Sequence, residues 1–265
     1  MHPFEKLNVP EGKIGIHWFG QNSFAIKNGD GMIIQIDPYF PKNRPGEKYI
    51  HTTSPLEEET LPTDFVLLTH DHGDHTCIES ILRIHGAFPK ARFIGPAESA
   101  RRMKGNGVQE TVVTEISPGD TVSLNDLSVH AFRSKPKDGD PAHGIDPPDV
   151  RHLGYVIDTG IVRVYVSGDC ISTLADMDDL LDPIAALKPE IGFLTTHPTE
   201  GEFPFFEGSV RMAVKLGLKT VVPAHYECFV KRTYVPKDWA AQFTDAGPAP
   251  LIIPYNDHIL YPALV

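Results

Sequence analysis

Phe65-Val66-Leu67-Leu68-Thr69-His70-Asp71-His72-Gly73-Asp74-His75 is the stretch on which the fold of this chain turns. Its first four residues are uniformly apolar and are bounded by Asp64 and Thr69, the pattern of a short strand buried on both faces. The residues that follow place three imidazoles and two carboxylates at the C-terminal end of that strand. Side chains alternate along an extended chain, so His70 and His72 project the same way. Gly73 permits a tight turn that swings Asp74 and His75 toward a second position. One short loop can thus serve two metal ions, and imidazole with carboxylate suits Zn²⁺, Mn²⁺ or Fe²⁺. A solvent-exposed His-rich turn is the plain alternative, and a buried strand running straight into the cluster argues against it.

Working outward, strand signals dominate the N-terminal side. Residues 13–19, 23–27 and 32–36 are short apolar runs separated by Gly20-Gln21-Asn22 and Gly29-Asp30-Gly31, which predicts an antiparallel meander. Residues 41–62, rich in Pro, Glu and Thr, predict a long surface loop. After the His-rich run, a helix is expected over 77–85 with Ile78, Ile81 and Leu82 on one face, then a strand at 93–94 and a helix over 97–104. Strands follow at 111–116, 121–124 and 127–132, and a second long loop, holding Pro136, Pro141, Pro147 and Pro148, covers 134–152. Strands at 154–157 and 162–167, helical sequence over 173–187, a strand at 191–195, a helix over 208–216 and a strand at 220–223 complete the pattern. Strands give way to helices twice over, so the expectation is an α/β (α+β) chain of two sheets with helices outside, forming one domain over 1–265.

The charge balance narrows the function. With 35 acidic residues against 24 Lys and Arg, the net charge is −11. That field repels phosphate backbones, so nucleic acid is not an expected partner. A small anionic substrate still fits, because bound divalent cations would reverse the local sign. Cys77, Cys170 and Cys228 show no C-x-x-C spacing and cannot all pair, which fits a reducing compartment. The first twelve residues lack the apolar core of a signal peptide, and no run approaches the roughly 20 apolar residues of a membrane span. A soluble cytoplasmic protein acting on a small molecule is expected, with no membrane partner and with a homo-oligomer left open.

The His70-x-His72-x-Asp74-His75 run resembles the signature of the metallo-β-lactamase superfamily, and three further motifs follow that family's order. Trp18-Phe19-Gly20-Gln21-Asn22-Ser23-Phe24, with Ile36-Asp37-Pro38 after it, resembles the opening hairpin and turn. Val166-Ser167-Gly168-Asp169 resembles the strand end whose Asp bridges two metals, and Val222-Pro223-Ala224-His225-Tyr226 the late strand end whose His completes the second site. Among the branches, Gly95-Pro96, Pro118-Gly119-Asp120 and the final motif are most similar to the L-ascorbate-6-phosphate lactonase-like group.

The resemblance implies a four-layered αββα sandwich with two divalent metal ions, Zn or Mn, at one edge. Carried over by position, His70 and His72 would hold one metal and Asp74, His75 and His225 the other, with Asp169 between them. Asp74 and Asp169 would be the catalytic carboxylates that orient a metal-bound hydroxide. One departure stands out. The family often places a His just after the strand that ends here at Phe132, where this chain has Arg133-Ser134-Lys135-Pro136. His143 in the following loop is the first candidate for the missing ligand, ahead of His152 and of His130, which falls inside a strand.

Arg133 and His197 are candidate substrate contacts, and Lys135 and Arg151 would suit a phosphorylated ligand. His17 and His51 are expected to be structural, the cysteines to be small buried side chains, and Phe203-Pro204-Phe205-Phe206 to be either a lid or the cover of a core edge. The implied activity is hydrolysis of a lactone or ester of a small, phosphorylated or plain, sugar acid. A phosphodiesterase is the enzymatic rival, and a non-catalytic metal or ligand sensor the rival of another class, since the ligands are shared among such proteins.

Overall fold

A computed structural model describes residues 1–262. They fold as two compact units, each gathered from separate stretches of chain and each built round one seven-stranded sheet. The first unit comprises residues 1–115, 226–232 and 253–262. Its strands are β1 (Ile14–Trp18), β2 (Phe24–Lys27), β3 (Ile33–Ile36), β4 (Phe65–Leu67), β5 (Arg92–Gly95), β6 (Val113–Glu115) and the last strand of the chain, β14 (Asp257–Tyr261), in the order β14-β1-β2-β3-β4-β5-β6. The expected meander is present: β14, β1, β2 and β3 are antiparallel neighbours. From β3 to β6 the pairing turns parallel, and the crossovers after β4 and β5 carry helices α1 (Ile78–Ala87) and α2 (Ala97–Gly105).

Those helices cover the sheet with a core in which Ile81 and Ile84 meet Val66, Leu68, Phe93 and Met103. The helix face differs from expectation at one position: Leu82 is 37% exposed and Ile84, at 0%, takes its place. At 100° per residue Ile81 and Ile84 share a face with Ile78, while Leu82 falls on its flank.

The second unit spans residues 116–225 and 233–252. It holds β7 (Thr121–Leu124), β8 (Leu127–Arg133), β9 (Leu153–Asp158), β10 (Arg163–Val166), β11 (Ile191–Thr195), β12 (Thr220–Ala224) and β13 (Ala249–Pro250), in the order β13-β12-β11-β10-β9-β8-β7. The plan repeats that of the first unit: antiparallel from β7 to β10, then parallel from β10 to β13. The helices are α3 (Asp178–Ala186), α4 (Phe206–Lys215) and α5 (Pro236–Ala240). β8 alternates buried and half-buried residues, as a strand with one covered face should, whereas β11 is buried throughout.

Three departures concern element bounds. The helical stretch expected over 173–187 is broken at Met177, with a 3₁₀ turn at Leu174–Asp176 before α3. The strand expected over 111–116 begins as a 3₁₀ turn, Glu110–Val112, and leaves only three residues for β6. The C-terminal elements α5, β13 and β14 were not anticipated. The two long loops are real, with only a 3₁₀ turn in each, at Glu58–Thr60 and Pro141–His143.

The topology places the chemistry. In parallel sheets, functional groups gather at the carboxyl ends of the strands. In the first unit, Asp37 follows β3 and His70 to His75 follow β4. In the second, Asp169 follows β10, His197 follows β11 and His225 follows β12. β8 runs the same way as β10, so its end and the start of β9 share that edge.

Candidate metal centre

Within the first unit, the ligand atoms of His70 and His72 stand close, as do those of Asp74 and His75. His70 and His75 are fully buried, and Asp74 is 22% exposed. His70 Nε2 lies 3.1 Å from His72 Nδ1. Two imidazole nitrogens on one cation, each at about 2.0–2.1 Å, stand about 2.9–3.4 Å apart for angles between square and tetrahedral. The donor pair therefore fits a first-row divalent ion.

The residues behind these imidazoles fix which nitrogen faces outward. Asp37, 0% exposed, accepts from Thr69 N at 2.8 Å, from Thr69 Oγ1 at 2.6 Å and from His75 Nδ1 at 2.8 Å. The proton on His75 is thereby held at Nδ1, leaving the Nε2 lone pair as the donor to a metal. Thr69 has one hydroxyl proton and spends it on Asp37, so at 3.0 Å it accepts from His70 Nδ1. His70 is set in the same tautomer. Neither Asp37 nor Thr69 was singled out from sequence for this role; a carboxylate at the end of the strand beside the motif strand is the signal that would have found Asp37.

Gln21 is the other residue that sequence left without a role. Its side-chain amide donates to Asp74 Oδ2 at 3.1 Å and reaches His75 Nε2 at 3.2 Å. Contacts of the opening hairpin hold it there. Gln21 N donates to Tyr226 O at 2.9 Å, Trp18 Nε1 donates to Gln21 O at 3.0 Å, and the Trp18 and Tyr226 rings stack 4.6 Å apart. Gly20 sits at φ +92°, and a Cβ there would meet the Tyr255 ring at 2.9 Å, so no larger residue fits. Ser23 Oγ donates to Asp37 O at 2.6 Å. Asp71 turns the other way, accepting from Arg102 at 3.3 Å; burial pushes its carboxyl up against the pull of that guanidinium.

Within the second unit, Asp169 and His225 are each 2% exposed, and His225 Nε2 lies 3.5 Å from Asp169 Oδ2. Gly168, at φ 55°, makes the left-handed turn that brings Asp169 off β10. His225 itself adopts φ 67°, and its ring packs 4.7 Å from that of Phe203. Gln21 (φ 53°), Asp37 (φ 42°) and Glu227 (φ 58°) share this left-handed conformation. Strain of this kind is retained where surrounding structure over-determines a functional geometry.

His143 and His152 stand very differently. The His143 side chain is 58% exposed and its Nδ1 is tied at 2.8 Å to Asp140, which also accepts from Thr173 at 2.7 Å. His152 is 1% exposed and its carbonyl accepts from Ser134 N at 3.2 Å. It therefore stands beside Arg133-Ser134, the strand end where a His was expected. His130 bonds Thr121 Oγ1 at 2.9 Å on the half-exposed side of β8. His197 Nδ1 accepts from the backbone N–H groups of Thr199 and Glu200, organising the turn after β11. Arg133 is half-buried at the end of β8, Lys135 pairs with Glu202 at 3.3 Å, and Arg151 donates to Ser117 at 3.1 Å. In the aromatic run, Phe203 is buried while Phe205 is 46% exposed.

The remaining singled-out residues are structural. His17 lies 2% exposed among Phe4, Phe19, His2 and His258, with burial lowering its pKa to about 4. His51 stacks on Tyr255 at 3.6 Å. All three cysteines are free and buried, and burial pushes the Cys170 thiol up to about 12 and that of Cys228 to about 11, so neither offers a thiolate near neutral pH.

Comparison with known proteins agrees with this geometry. The model of the Beta-lactamase superfamily domain matches residues 34–226, and the chain belongs to that superfamily. A UPF0173 metal-dependent hydrolase of Methanosarcina mazei is 29% identical over 218 residues, covering 81% of this chain and 84% of the relative. Another, from Methanopyrus kandleri, is 28% identical over 244 residues, covering 88% and 92%. The structure of Igni18, a metallo hydrolase of Ignicoccus hospitalis, superposes with a TM-score of 0.71 at 20% identity, covering 95% of this chain and all of that one. The two-sheet α/β architecture is thus the metallo-β-lactamase fold. No helix among the described residues is long and apolar enough to cross a membrane.

Proposed function

We propose that this chain is a metal-dependent hydrolase whose two donor sets together hold a pair of divalent cations, Zn or Mn. By the order of the motifs, one would be held by His70, His72 and, beside the strand end where the family places a His, His152; the other would be held by Asp74, His75 and His225, with Asp169 shared. His152 takes the place first assigned to His143, whose exposed imidazole is engaged by Asp140. The observation that carries this is the second layer behind the imidazoles: a buried carboxylate and a hydroxyl that fix the tautomers of two histidines on one loop serve ligation better than they serve stability. The names of the UPF0173 relatives point the same way.

When bound, such cations acidify water toward neutrality and draw charge from the oxygen of the bond under attack. The chain's own residues do the rest. Asp37 and Thr69 hold protons at His75 Nδ1 and His70 Nδ1. Gln21 donates to Asp74 Oδ2 and so fixes its rotamer, and Asp74 and Asp169 are the carboxylates that would orient the attacking water. Burial of both histidine rings and of Asp169 keeps bulk water from competing with these bonds.

The substrate class best suited is a lactone or ester of a small sugar acid, as in the lactonase-like branch, with a phosphodiester as the alternative. Elemental analysis of protein purified without chelator, together with hydrolysis of generic lactones, aryl esters and phosphodiesters, is the test. About two equivalents of Zn or Mn per chain with ester turnover supports the proposal. One equivalent would remove the paired centre, and full metal loading without turnover of any of the three would favour a binding protein.

A further inference from the structure

A cleft of about 670 Å³ opens beside Asp74 within the first unit. Tyr39 and Phe229 supply its aromatic surface, and Lys48, Lys231 and Arg232 line it against a single acid, Glu47, besides Asp74 itself. The aromatic part is built rather than incidental. Tyr39 and Tyr49 are buried and their hydroxyls hydrogen-bond at 2.6 Å, and the Tyr49 ring lies 5.5 Å from that of Phe229. The Arg44 guanidinium packs 4.5 Å from the Tyr49 centroid, and Lys48 Nζ lies 5.6 Å from that of Phe229.

In a chain of net charge −11, three cations against two carboxylates give this cleft a lining of the opposite sign, one that favours a small anion. An ammonium acts as a point charge, while the planar fork of Arg232 matches the two oxygens of a carboxylate or phosphate. The aromatic faces accept an apolar or planar body that water releases on binding.

From this cleft we infer that the enzyme selects an ester whose body carries a carboxylate or phosphate beside an apolar portion, the anionic group lying against Lys48, Lys231 and Arg232. The inference rests on Asp74 being a ligand of the proposed centre, which puts the cleft next to the bond cleaved.

The test compares kcat/KM of the metal-loaded enzyme for a neutral aryl acetate, the aryl hemisuccinate with the same leaving group, and a phosphate-bearing aryl ester. Binding of phenylphosphonate to metal-free protein, followed by ligand-observed NMR in the presence of chelator, provides a readout independent of turnover. In the Lys231→Ala/Arg232→Ala double variant the anionic-to-neutral ratio should fall about tenfold and the phosphonate Kd should rise about tenfold, the size of one charge-assisted hydrogen bond in a partly solvated setting. Lys104→Ala, on α2 and paired with Glu110, is the control that should move neither. The ratio of hemisuccinate to phosphate ester identifies which anion is preferred. Equal use of neutral and anionic esters, or a preference that survives in the double variant, overturns the inference. If the protein binds no metal and cleaves none of these esters, the hydrolase proposal fails instead, and phosphonate binding lost in the double variant still upholds the cleft, while no binding refutes it.

Discussion

Replacing Asp37 by Asn changes one atom at the heart of the proposed centre. Asn has nearly the same shape, so the turn after β3 survives, and one amide oxygen can still accept from Thr69. With that oxygen facing Thr69 N, the amide nitrogen takes the place of Oδ2, the oxygen that now accepts from both Thr69 Oγ1 at 2.6 Å and His75 Nδ1 at 2.8 Å. His75 loses the acceptor that holds its proton on Nδ1, and the tautomer with Nε2 available is no longer favoured. Outer partners of this kind set metal affinity by about 10–100-fold, which at 1.4 kcal/mol per decade is about 1.4–2.8 kcal/mol. The loss should be largest at the site that uses His75, which bonds Asp37 directly, and smaller at that of His70, which feels the change only through the Thr69 hydroxyl. Competition titration with a chromophoric zinc chelator at neutral pH should therefore show two classes of metal, one weakened more than the other. Equal affinity for both ions in parent and variant, with the variant folded by circular dichroism, would refute the claim that Asp37 orients a ligand. Equal weakening of both would mean that the loop moves as one body.

Three further outcomes are expected. His17 has a folded pKa of about 4 against 6.5 unfolded, so as pH falls through that window the unfolded chain takes the proton first and stability is lost; the increment is about 3 kcal/mol, complete below pH 4. Urea unfolding at pH 7 and pH 4.5 should show a smaller difference for His17→Gln than for the parent, and an identical difference would sink the assignment. On α1, Ile84→Ala should cost about 2–5 kcal/mol and Leu82→Ala within about 0.5, given exposures of 0% and 37%; similar costs would restore Leu82 to the core face. Finally, metal at a hundred times its Kd should add about 2.7 kcal/mol of stability, so chelation should lower the thermal midpoint and re-addition of Zn or Mn restore it. A midpoint indifferent to both would argue against ligation.

What the sequence makes legible here is what lies in one run. The apolar strand β4, the donors of the loop after it and the motif order along the chain are local patterns, and each survives into the fold. The alternation of strands and helices likewise yields two sheets. What is not legible depends on long-range pairing. β14 has an alternating run of only five residues and gains its meaning from β1, some 240 residues away by register (Trp18 with Asp257). His152 ranks behind His143 as a candidate ligand by sequence, and only the pairing of β9 with β8 shows it beside Ser134. The nearest loop histidine, His143, attracts attention by position alone, and only its exposure and its bond to Asp140 set it apart. Asp37 and Gln21 are common residues whose role comes from left-handed backbone and from neighbours on other strands. Periodicity also misplaced Leu82, because a helix face is about 100° wide and sequence alone does not locate its edge.

The interleaving of the two units has a consequence for synthesis. The first sheet is left with β1 as an open edge until residues 257–261 emerge and cover it, and residues 226–232, which carry much of the cationic cleft, appear only after most of the second unit has been made. At about 5–20 residues per second the nascent chain holds that exposed edge for about ten seconds or more. An N-terminal half released early would present an unpaired strand to any neighbour. Closure of the β1 edge is therefore a matter of timing at the ribosome, set by when residues 257–261 emerge.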